Sequence, residues 1–295
     1  MTAFSGFLNI LKPSGITSRT VVDRVQRLVR PAKAGHAGTL DPLASGVLIV
    51  GVGAGTRLIE YVQRMPKRYR GSFLLGRSSP TEDVEGEVEL LPDPPIPTRT
   101  AIEQAASGLT GETLQRPPSY SALKVAGQRA YALARAGKQV ELQPRPITVY
   151  ELRVVEYAYP QFSLEICCSG GTYVRSLGRD LAESLGTAAI MSALVREAIG
   201  EFTIDEAIPL AELSAENIAE RLLPIERALR SLPRLELSTE ECARLALGQS
   251  VRRDSFPESA EIAGYDPHGR CVSILKPRGD GTLKPARNFF PTDQM

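Results

Sequence analysis

The chain has 295 residues, of which 42% are hydrophobic and 23% charged, and its formal net charge is +1. This composition is typical of a globular protein, excludes a disordered or fibrous chain, and leaves enough length for one large domain and a small one. Basic residues nevertheless cluster at 64–70 and at 116–145, so a nearly neutral chain is still able to bind a polyanion locally.

Neither a metal site nor a membrane segment is expected. The four cysteines and two histidines lack the paired spacing of a zinc site or a disulfide framework, as is typical of reduced thiols in a cytoplasmic protein. The N-terminus has no basic segment followed by an apolar core, which predicts that there is no signal peptide. The longest apolar stretch, residues 43–55, is interrupted by glycines and too short to cross a bilayer.

The first predicted elements are a strand over residues 6–10 and a helix that is capped by Thr17 or Ser18 and stopped by Pro31. Valines and a leucine recur on one face of this helix, which indicates that this face is buried. Several cations fall off the apolar stripe: Arg24, Arg27, Arg30 and Lys33.

A glycine-rich loop, residues 35–46, leads into an apolar run at 47–52. The run is short, β-branched and broken by glycine, which favours a buried strand over a helix. Pro42 biases Asp41 toward an extended backbone. Two interpretations of Asp41 remain open from these residues: it closes a turn, or its carboxylate is aimed at a ligand.

A dinucleotide-binding loop is not predicted. Residues 51–55 have the glycine spacing of such a fingerprint, but Thr56 occupies the position of the third glycine and no βαβ pattern surrounds it. A Walker-type phosphate loop is absent from the sequence as well. Both observations argue against a nucleotide cofactor.

The middle of the chain predicts a strand at 68–76, a polar acidic loop at 77–86 and a helix at 100–109 with a capping box from Thr100 to Glu103. Two prolines then exclude ordinary helix or strand. They open a basic segment with little apolar surface, which contains a short helix at 129–136. We expect this segment to project from the core as an arm.

The second half predicts strands at 147–157 and 162–168, followed by a glycine turn that places Tyr173 and Arg175 at the start of a helix. A boundary is expected near Pro233, because a β-rich segment with many turn signals follows it. Strands and helices that do not alternate strictly indicate an α+β fold with a mixed, mostly antiparallel sheet. Further elements expected are a helix ending near Leu185, a strand at 194–202, an acidic helix at 206–229, and a helix capped by Ser238 and Glu241.

Five blocks of sequence, met in order, resemble the motifs of the tRNA pseudouridine-55 synthases. The glycine-rich loop resembles the signature loop of that family, and the turn with Tyr173 and Arg175 resembles its arginine motif. A single Gly-His-Ala-Gly would be weak, whereas five blocks in the family's order are specific. The blocks are residues 12–13, 35–46, 67–69, 115–124 and 168–175.

The resemblance implies a pseudouridine synthase fold with a catalytic domain at 1–231, an RNA-gripping thumb insertion at about 115–145, and a small β-rich RNA-binding domain at 232–295. It implies that uridine 55 in the T-arm of tRNA is isomerised to pseudouridine. No atoms are gained or lost, so no cofactor and no metal are expected. The expected partner is tRNA alone, with no obligatory protein partner, and the chain is expected to be a monomer.

The same resemblance assigns roles to residues. Asp41 is the candidate nucleophile or cation stabiliser, and whether it attacks ribose or uracil stays open. Arg175 matches the arginine that keeps this carboxylate ionised. Tyr69 and Tyr173 match tyrosines that line the uracil pocket, and Tyr69 is also a candidate to manage the proton that leaves C5.

The target uridine is stacked in a folded loop and must be flipped out. His36, five residues before Asp41, matches the histidine that fills the vacated space, and Leu194 matches an apolar pocket wall. The remaining residues expected to bind substrate are Lys12, Asp83 and Lys124.

Two other functions are less well supported by the sequence. A catalytically inactive tRNA-binding or tRNA-folding module is disfavoured because Asp41, Tyr69 and Arg175 are all present. A carboxylate-based sugar hydrolase would need two opposed carboxylates, and no second acid stands in a comparable motif.

Overall fold

The computed structural model describes residues 4–120 and 142–289, together with the backbone of residues 124–125 and 128–129. Its helices are α1 (Ser18–Leu28), α2 (Ile59–Arg64), α3 (Arg99–Gly108), α4 (Val174–Ser184) and α5 (Thr239–Ala246). Its strands are β1 (Gly6–Lys12), β2 (Ala34–His36), β3 (Ser45–Val52), β4 (Lys67–Leu75), β5 (Arg77–Ser78), β6 (Glu89–Leu90), β7 (Gly111–Gln115), β8 (Lys124–Val125), β9 (Gln128–Arg129), β10 (Arg145–Ala158), β11 (Gln161–Cys168), β12 (Ala189–Ile199), β13 (Phe202–Thr203), β14 (Ile208–Pro209), β15 (Arg234–Glu236), β16 (Val251–Arg252), β17 (Ile262–Tyr265), β18 (Cys271–Pro277) and β19 (Thr282–Asn288).

Within the described chain, a ten-stranded sheet forms the centre of the molecule. Its strand order is β14-β1-β3-β12-β4-β11-β10-β7, with β13 beside β12 and β2 beside β3. The pairs β1–β14 and β3–β12 are parallel, and the others are antiparallel. The predicted α+β class with a mixed, mostly antiparallel sheet is therefore confirmed.

Strand β3 is buried on both faces, which explains its continuous apolar sequence. Val47 and Ile49 pack in one core cluster, whereas Leu48 and Val50 pack on the opposite face against α1. Strands covered on both sides lose the usual alternation of apolar and polar residues. The glycine-rich loop is thus anchored directly to the interior of the protein.

Helix α4 lies against β4 at short range because Gly178 has no side chain. A Cβ at this position would come within 2.2 Å of the Phe73 ring. Arg175 stands one turn before Gly178, on the same face of the helix, so this close approach brings the guanidinium down to the sheet. Around this contact, α3 and α4 cover a core built on β4, β10, β11 and β12.

A separate five-stranded sheet, with order β15-β17-β18-β19-β16, follows residue 231. It has its own core with α5, and Leu245, Ile262 and Leu275 are fully buried there. Its other side joins the central sheet, since Ala263 and Ile274 lie in the same cluster as Val47. This packing supplies apolar burial that so small a unit lacks by itself. The boundary at 231/232 stays a prediction.

Three sequence-based expectations differ from the structure. Residues 206–229 were expected to be an acidic helix, but they contain β14 and short 3-10 helices separated by Pro209 and Pro224. The N-cap of α3 is Thr98, whose hydroxyl accepts a hydrogen bond from the Ala101 N–H, so the capping box at Thr100 is wrong. The strand expected at 194–202 starts earlier and ends at Ile199. The helix expected at 129–136 falls largely outside the described residues.

Lys67, at the start of β4, caps the C-terminus of α2 from inside the protein. Its ammonium donates to the carbonyl oxygens of Val62 at 3.5 Å, Met65 at 2.6 Å and Gln63. Burial, with a smaller contribution from the nearby cation of Arg196, lowers the pKa of Lys67 from 10.5 to about 8. Between about pH 8 and 10.5 the unfolded chain therefore binds more protons at this lysine than the folded chain does.

Lys67→Met should destabilise the protein by about 1–3 kcal/mol, because it leaves buried carbonyl groups without a donor. The deficit relative to the parent should grow from pH 7 to pH 10, since the Lys67 contribution to folding stability rises with pH in that window. Urea unfolding of both proteins at the two pH values measures it. Lys284→Met, at an exposed position of β19, controls for the loss of charge. A deficit that shrinks at pH 10 would contradict the prediction.

No helix in the described ranges is long and apolar enough to span a lipid bilayer.

Candidate active site

The loop between β2 and β3 carries Asp41 and is held from one side by groups of β1 and α1. The Lys12 ammonium donates to the carbonyl oxygens of Ala44 at 2.7 Å, Pro42 at 3.4 Å and Pro13 at 3.0 Å. The Ser18 hydroxyl donates to the Leu40 carbonyl at 3.0 Å and accepts from the Leu40 N–H at 2.8 Å. The middle of the loop is therefore fixed by side chains and not by a regular ladder.

Lys12 itself is wholly buried. Burial lowers its pKa to about 8, a change that the Asp41 carboxylate opposes and the Arg196 cation reinforces. Because its donors go to the loop, the contacts support a role in holding the loop near Asp41. Its binding to substrate stays a prediction.

The ends of the same loop are held from the other side by Arg196 of β12. Its Nε donates to the carbonyl of Val47 at 2.7 Å. Its terminal nitrogens donate to the carbonyls of Thr39 at 3.4 Å and Gly38 at 3.2 Å. No role for Arg196 is predicted from sequence, although a cation inside an apolar strand is a recognisable signal.

Asp41 and Arg175 form an ion pair across the site. The Nε of Arg175 lies 3.0 Å from an Asp41 carboxylate oxygen. The side chain of Arg175 is 7% exposed, whereas that of Asp41 is 36% exposed. The guanidinium therefore supports the carboxylate from within the protein while one side of the carboxylate stays accessible to a ligand.

Arg175 also links Asp41 to three other residues in two parts of the chain. One terminal nitrogen lies 3.6 Å from Asp83 Oδ2 and donates to the carbonyl of Thr81, and the other donates to the carbonyl of Tyr120. Asp83 is 3% exposed, and its Oδ1 accepts from the Thr81 hydroxyl at 2.6 Å and from the Glu85 N–H at 3.1 Å. Thus one guanidinium joins two carboxylates and the base of the basic arm.

Tyr69 and Leu194 form an apolar floor beside this ion pair. Both belong to the core cluster that includes Leu40 and Ala44 of the loop, and they are 9% and 7% exposed. Burial raises the pKa of Tyr69, which the adjacent Arg196 cation opposes and the Asp41 carboxylate reinforces. The phenol is therefore protonated at neutral pH and presents a flat ring rather than a phenolate.

Tyr173 is the N-cap residue of α4 and is held by Gln115 of β7. The Gln115 amide accepts from the Tyr173 N–H at 2.8 Å and donates to the Tyr173 carbonyl at 3.0 Å. Gln115 is 2% exposed. This paired amide contact fixes the turn that delivers Arg175 to the site. From sequence, Gln115 is expected only as the first residue of the block at 115–124.

His36, at the end of β2, is half-buried. Its Nδ1 is buried and has no hydrogen-bond partner among the described residues. Burial lowers the pKa of His36, and the cations of Arg196 and Arg19 lower it further. The imidazole is therefore neutral at pH 7 and suits contact with a base or sugar better than with a phosphate.

The contacts and pKa perturbations link Asp41, Tyr69, Arg175, Asp83 and Lys12 in one region. Leu194 belongs to the same cluster as Tyr69. Lys124 lies in β8 opposite Arg129, and its side chain is outside the described residues, as is most of the arm. No group of three or more His, Cys, Asp or Glu side chains in the described ranges is arranged to hold a metal ion.

The fold is that of the pseudouridine synthases. A solved Cbf5–Nop10–Gar1 complex contains a chain that superimposes with a TM-score of 0.74 at 24% identity, covering 98% of this chain and 86% of that one. The Cbf5 structure from an archaeal box H/ACA Nop10–Cbf5 complex gives 0.73 at 22% identity, covering 99% and 88%. At this identity the likeness concerns the fold alone.

The chain belongs to the TruB family of pseudouridylate synthases, whose N-terminal domain model matches residues 26–174. A tRNA pseudouridine synthase B of Dehalococcoides mccartyi is 40% identical over 289 residues, which cover 97% of this chain and 96% of that protein. One from an Arthrobacter species is 39% identical and covers 99% and 98%. The resemblance drawn from the five sequence blocks is thereby confirmed.

Proposed function

We propose that this protein is a tRNA pseudouridine synthase that isomerises uridine 55 in the T-arm of tRNA. The observation that carries the proposal is the 3.0 Å ion pair between Arg175 and Asp41 beside the apolar floor of Tyr69 and Leu194. The name of the relatives supports tRNA as the substrate. An inactive binding module is not favoured, because it would not need a half-exposed carboxylate supported by a buried guanidinium.

The reaction breaks the bond between N1 of uracil and C1′ of ribose, turns the base, and joins C5 to C1′. The proton on C5 is then lost to water, and N1 takes up a proton in its place. Atoms balance without a cofactor, and the absence of a cofactor requirement stays a prediction. The partly exposed Asp41 carboxylate attacks either ribose C1′ or the uracil ring, and on either route the bond that it forms is broken again before pseudouridine is released. Arg175 holds the carboxylate in place through a charged contact of 3.0 Å.

The uridine has to leave its stack to reach this carboxylate, at a cost of a few kcal/mol. The ring of Tyr69 offers a stacking surface worth about 1–3 kcal/mol, which offsets part of that cost. A protonated phenol is a weak base, so Tyr69 is better suited to orienting the base than to removing the C5 proton directly. We propose that the His36 imidazole, neutral at pH 7, contacts the bases beside the vacated position.

A tritium-release assay tests the function. The protein is incubated, without any added cofactor, with a tRNA transcript that carries tritium at C5 of its uridines, and released tritium is counted. We expect release of one tritium per tRNA. A transcript with cytidine at position 55 should release none, which tests the target position. An absence of release from the uridine-55 transcript would overturn the proposed function.

Helix α1 presents an exposed row of cations that leads toward the site. Arg19 pairs with Asp23 at 2.9 Å. Its cation is also close enough to His36 to lower the pKa of that imidazole, although burial and Arg196 have larger effects. Such a row suits a phosphate backbone, because each neutralised phosphate releases counterions. The exposed cations of α1 and the residues after it are Arg19, Arg24, Arg27, Arg30 and Lys33.

We expect the double substitution Arg27→Gln with Arg30→Gln to raise KM for tRNA by about 3–10-fold at moderate salt and to leave kcat within about 2-fold. The dependence of log KM on log salt should become shallower by about 0.7–0.9 for each lost phosphate contact. Initial rates at several salt concentrations measure both. Arg99→Gln on α3, an exposed arginine paired with Glu103, is the control. Unchanged KM and salt dependence would exclude α1 from the RNA surface.

We further propose that the protein acts in the cytoplasm as a monomer without an obligatory protein partner. The supporting observation is that the Asp41–Arg175 pair and the cations that hold the loop, Lys12 and Arg196, come from one chain, so the described site needs no residue from a second subunit. Sedimentation of the active protein, alone and with tRNA, tests the stoichiometry, and a requirement for a second protein would contradict it.

A further inference from the structure

Arg196 is a buried cation that has no acidic partner in the described part of the chain. It is 1% exposed, and no carboxylate there lies within ion-pair distance. Its hydrogen bonds go to main-chain carbonyl oxygens, of Val47, Thr39 and Gly38. Burying a charge without a counter-ion is costly, so this residue needs an explanation beyond packing.

Strand β12 brings Arg196 between the loop and the base-binding floor. On one side Arg196 stands directly opposite Tyr69 of β4, and on the other it pairs with Gly46 of β3. The approach to β3 is so close that a Cβ on Gly46 would lie 2.2 Å from the Arg196 carbonyl oxygen, and Gly46 has a φ of +104°. The Arg196 cation is also close enough to the Tyr69 hydroxyl to oppose the rise in the pKa of that group. The guanidinium therefore adjoins both Tyr69 and the loop that carries Asp41.

We propose that Arg196 is a positioning residue for the isomerisation: its guanidinium fixes the ends of the Asp41 loop relative to Tyr69. The expected loss of activity rests on the proposed function, whereas the expected loosening of the loop rests on geometry alone. Asp41 and Tyr69 come from different strands and have to meet the same nucleoside. A single planar group that contacts both sides sets the distance between them.

The chemistry of the guanidinium fits this task. Its donors are fixed in one plane, so they hold three carbonyl groups in a defined arrangement. Lys12 and Ser18 hold the middle of the loop, at Leu40, Pro42 and Ala44, whereas Arg196 holds residues on either side of Asp41. Without Arg196 the ends of the loop lose their donors while the middle remains attached, so the Asp41 carboxylate shifts. A misplacement of about 1 Å can lower the rate by about 10²-fold.

The test compares three variants of the whole protein. Arg196→Met removes the charge and all three donors, and Arg196→Lys keeps a charge and fewer donors. Lys67→Met is the matched control, because Lys67 is also a buried cation that donates to three carbonyl groups, but those belong to α2 and its C-terminal end. Each variant is assayed by single-turnover and steady-state tritium release at a temperature where it is folded.

We expect Arg196→Met to lower kcat by about 10²-fold with KM within about 3-fold, because RNA contacts are retained while the reacting groups are misplaced. Arg196→Lys should lie between this variant and the parent. Lys67→Met should keep kcat within about 3-fold despite a lower melting temperature. If Arg196→Met does not fold, Arg196→Lys carries the test, and a kcat within 3-fold of the parent for that variant would overturn the proposal.

Hydrogen–deuterium exchange gives a reading that does not depend on the proposed function. The amide of Ala37, at the start of the loop and next to Gly38, is hydrogen-bonded to the carbonyl of Ile49. It should exchange at least about 10-fold faster in the Arg196 variants than in Lys67→Met. Equal exchange in all variants would overturn the positioning role. An inactive parent with faster loop exchange in the variants would instead overturn only the proposed function.

Discussion

Asp41→Asn is expected to reduce tritium release by about 10⁴-fold or more, the scale seen when the acting group of a catalytic unit is removed. The amide has nearly the shape of the carboxylate but no charge, so it neither attacks a glycosyl centre nor stabilises a cation. Arg175 then faces a neutral group at 3.0 Å. We expect KM for tRNA to stay within about 3-fold, because one exposed oxygen adds little to an RNA interface dominated by phosphate contacts.

The comparison that makes this informative is Asp254→Asn, which removes an exposed carboxylate of the C-terminal sheet region and should leave kcat unchanged. Melting curves of both variants show whether folding is preserved. If Asp41→Asn turned over at the parent's rate, the carboxylate would not be the reacting group. The 3.0 Å pair with Arg175 would then be structural.

The loop and its strand could be predicted from sequence because their signals are local. The run at 47–52 has too few polar residues for a half-exposed strand, and it is buried on both faces by α1 on one side and by α2 and the C-terminal sheet on the other. Thr17 caps α1 through the Thr20 N–H, as short polar side chains do. Asp41 and Arg175 were predicted as partners through the family resemblance alone, and the structure pairs them.

The support of the site could not be predicted, because it depends on contacts between distant parts of the chain. Arg196 donates to carbonyl groups 149, 157 and 158 residues away. The local sequence pattern does not predict which carbonyl oxygens such a side chain will bind. The error at 206–229 has the same origin. Pro209 and Pro224 interrupt that segment, and Leu210, Leu213 and Ile218 each fill the α1 core separately instead of forming one helical stripe.

Arg175→Lys is expected to lower kcat by about 10²–10³-fold while KM for tRNA stays within about 3-fold. The guanidinium contacts Asp41, approaches Asp83 and donates to the carbonyls of Thr81 and Tyr120 at once. The ammonium of a lysine is a compact charge on a flexible side chain, so it cannot reproduce this planar set of contacts. It keeps the charge, so the loss would reflect the placement of the Asp41 oxygen more than its ionisation.

Arg179→Lys provides the matched comparison one turn further along α4. Arg179 is also buried and also pairs with carboxylates, Glu82 and Asp180, but it does not contact Asp41. The two variants should lose similar stability in urea unfolding, and we expect only Arg175→Lys to lose more than about 10-fold in kcat. Equal losses of kcat in the two variants would mean that Arg175 acts by supporting the helix. A larger loss in Arg175→Lys than in Arg179→Lys would show that its contact with Asp41 matters.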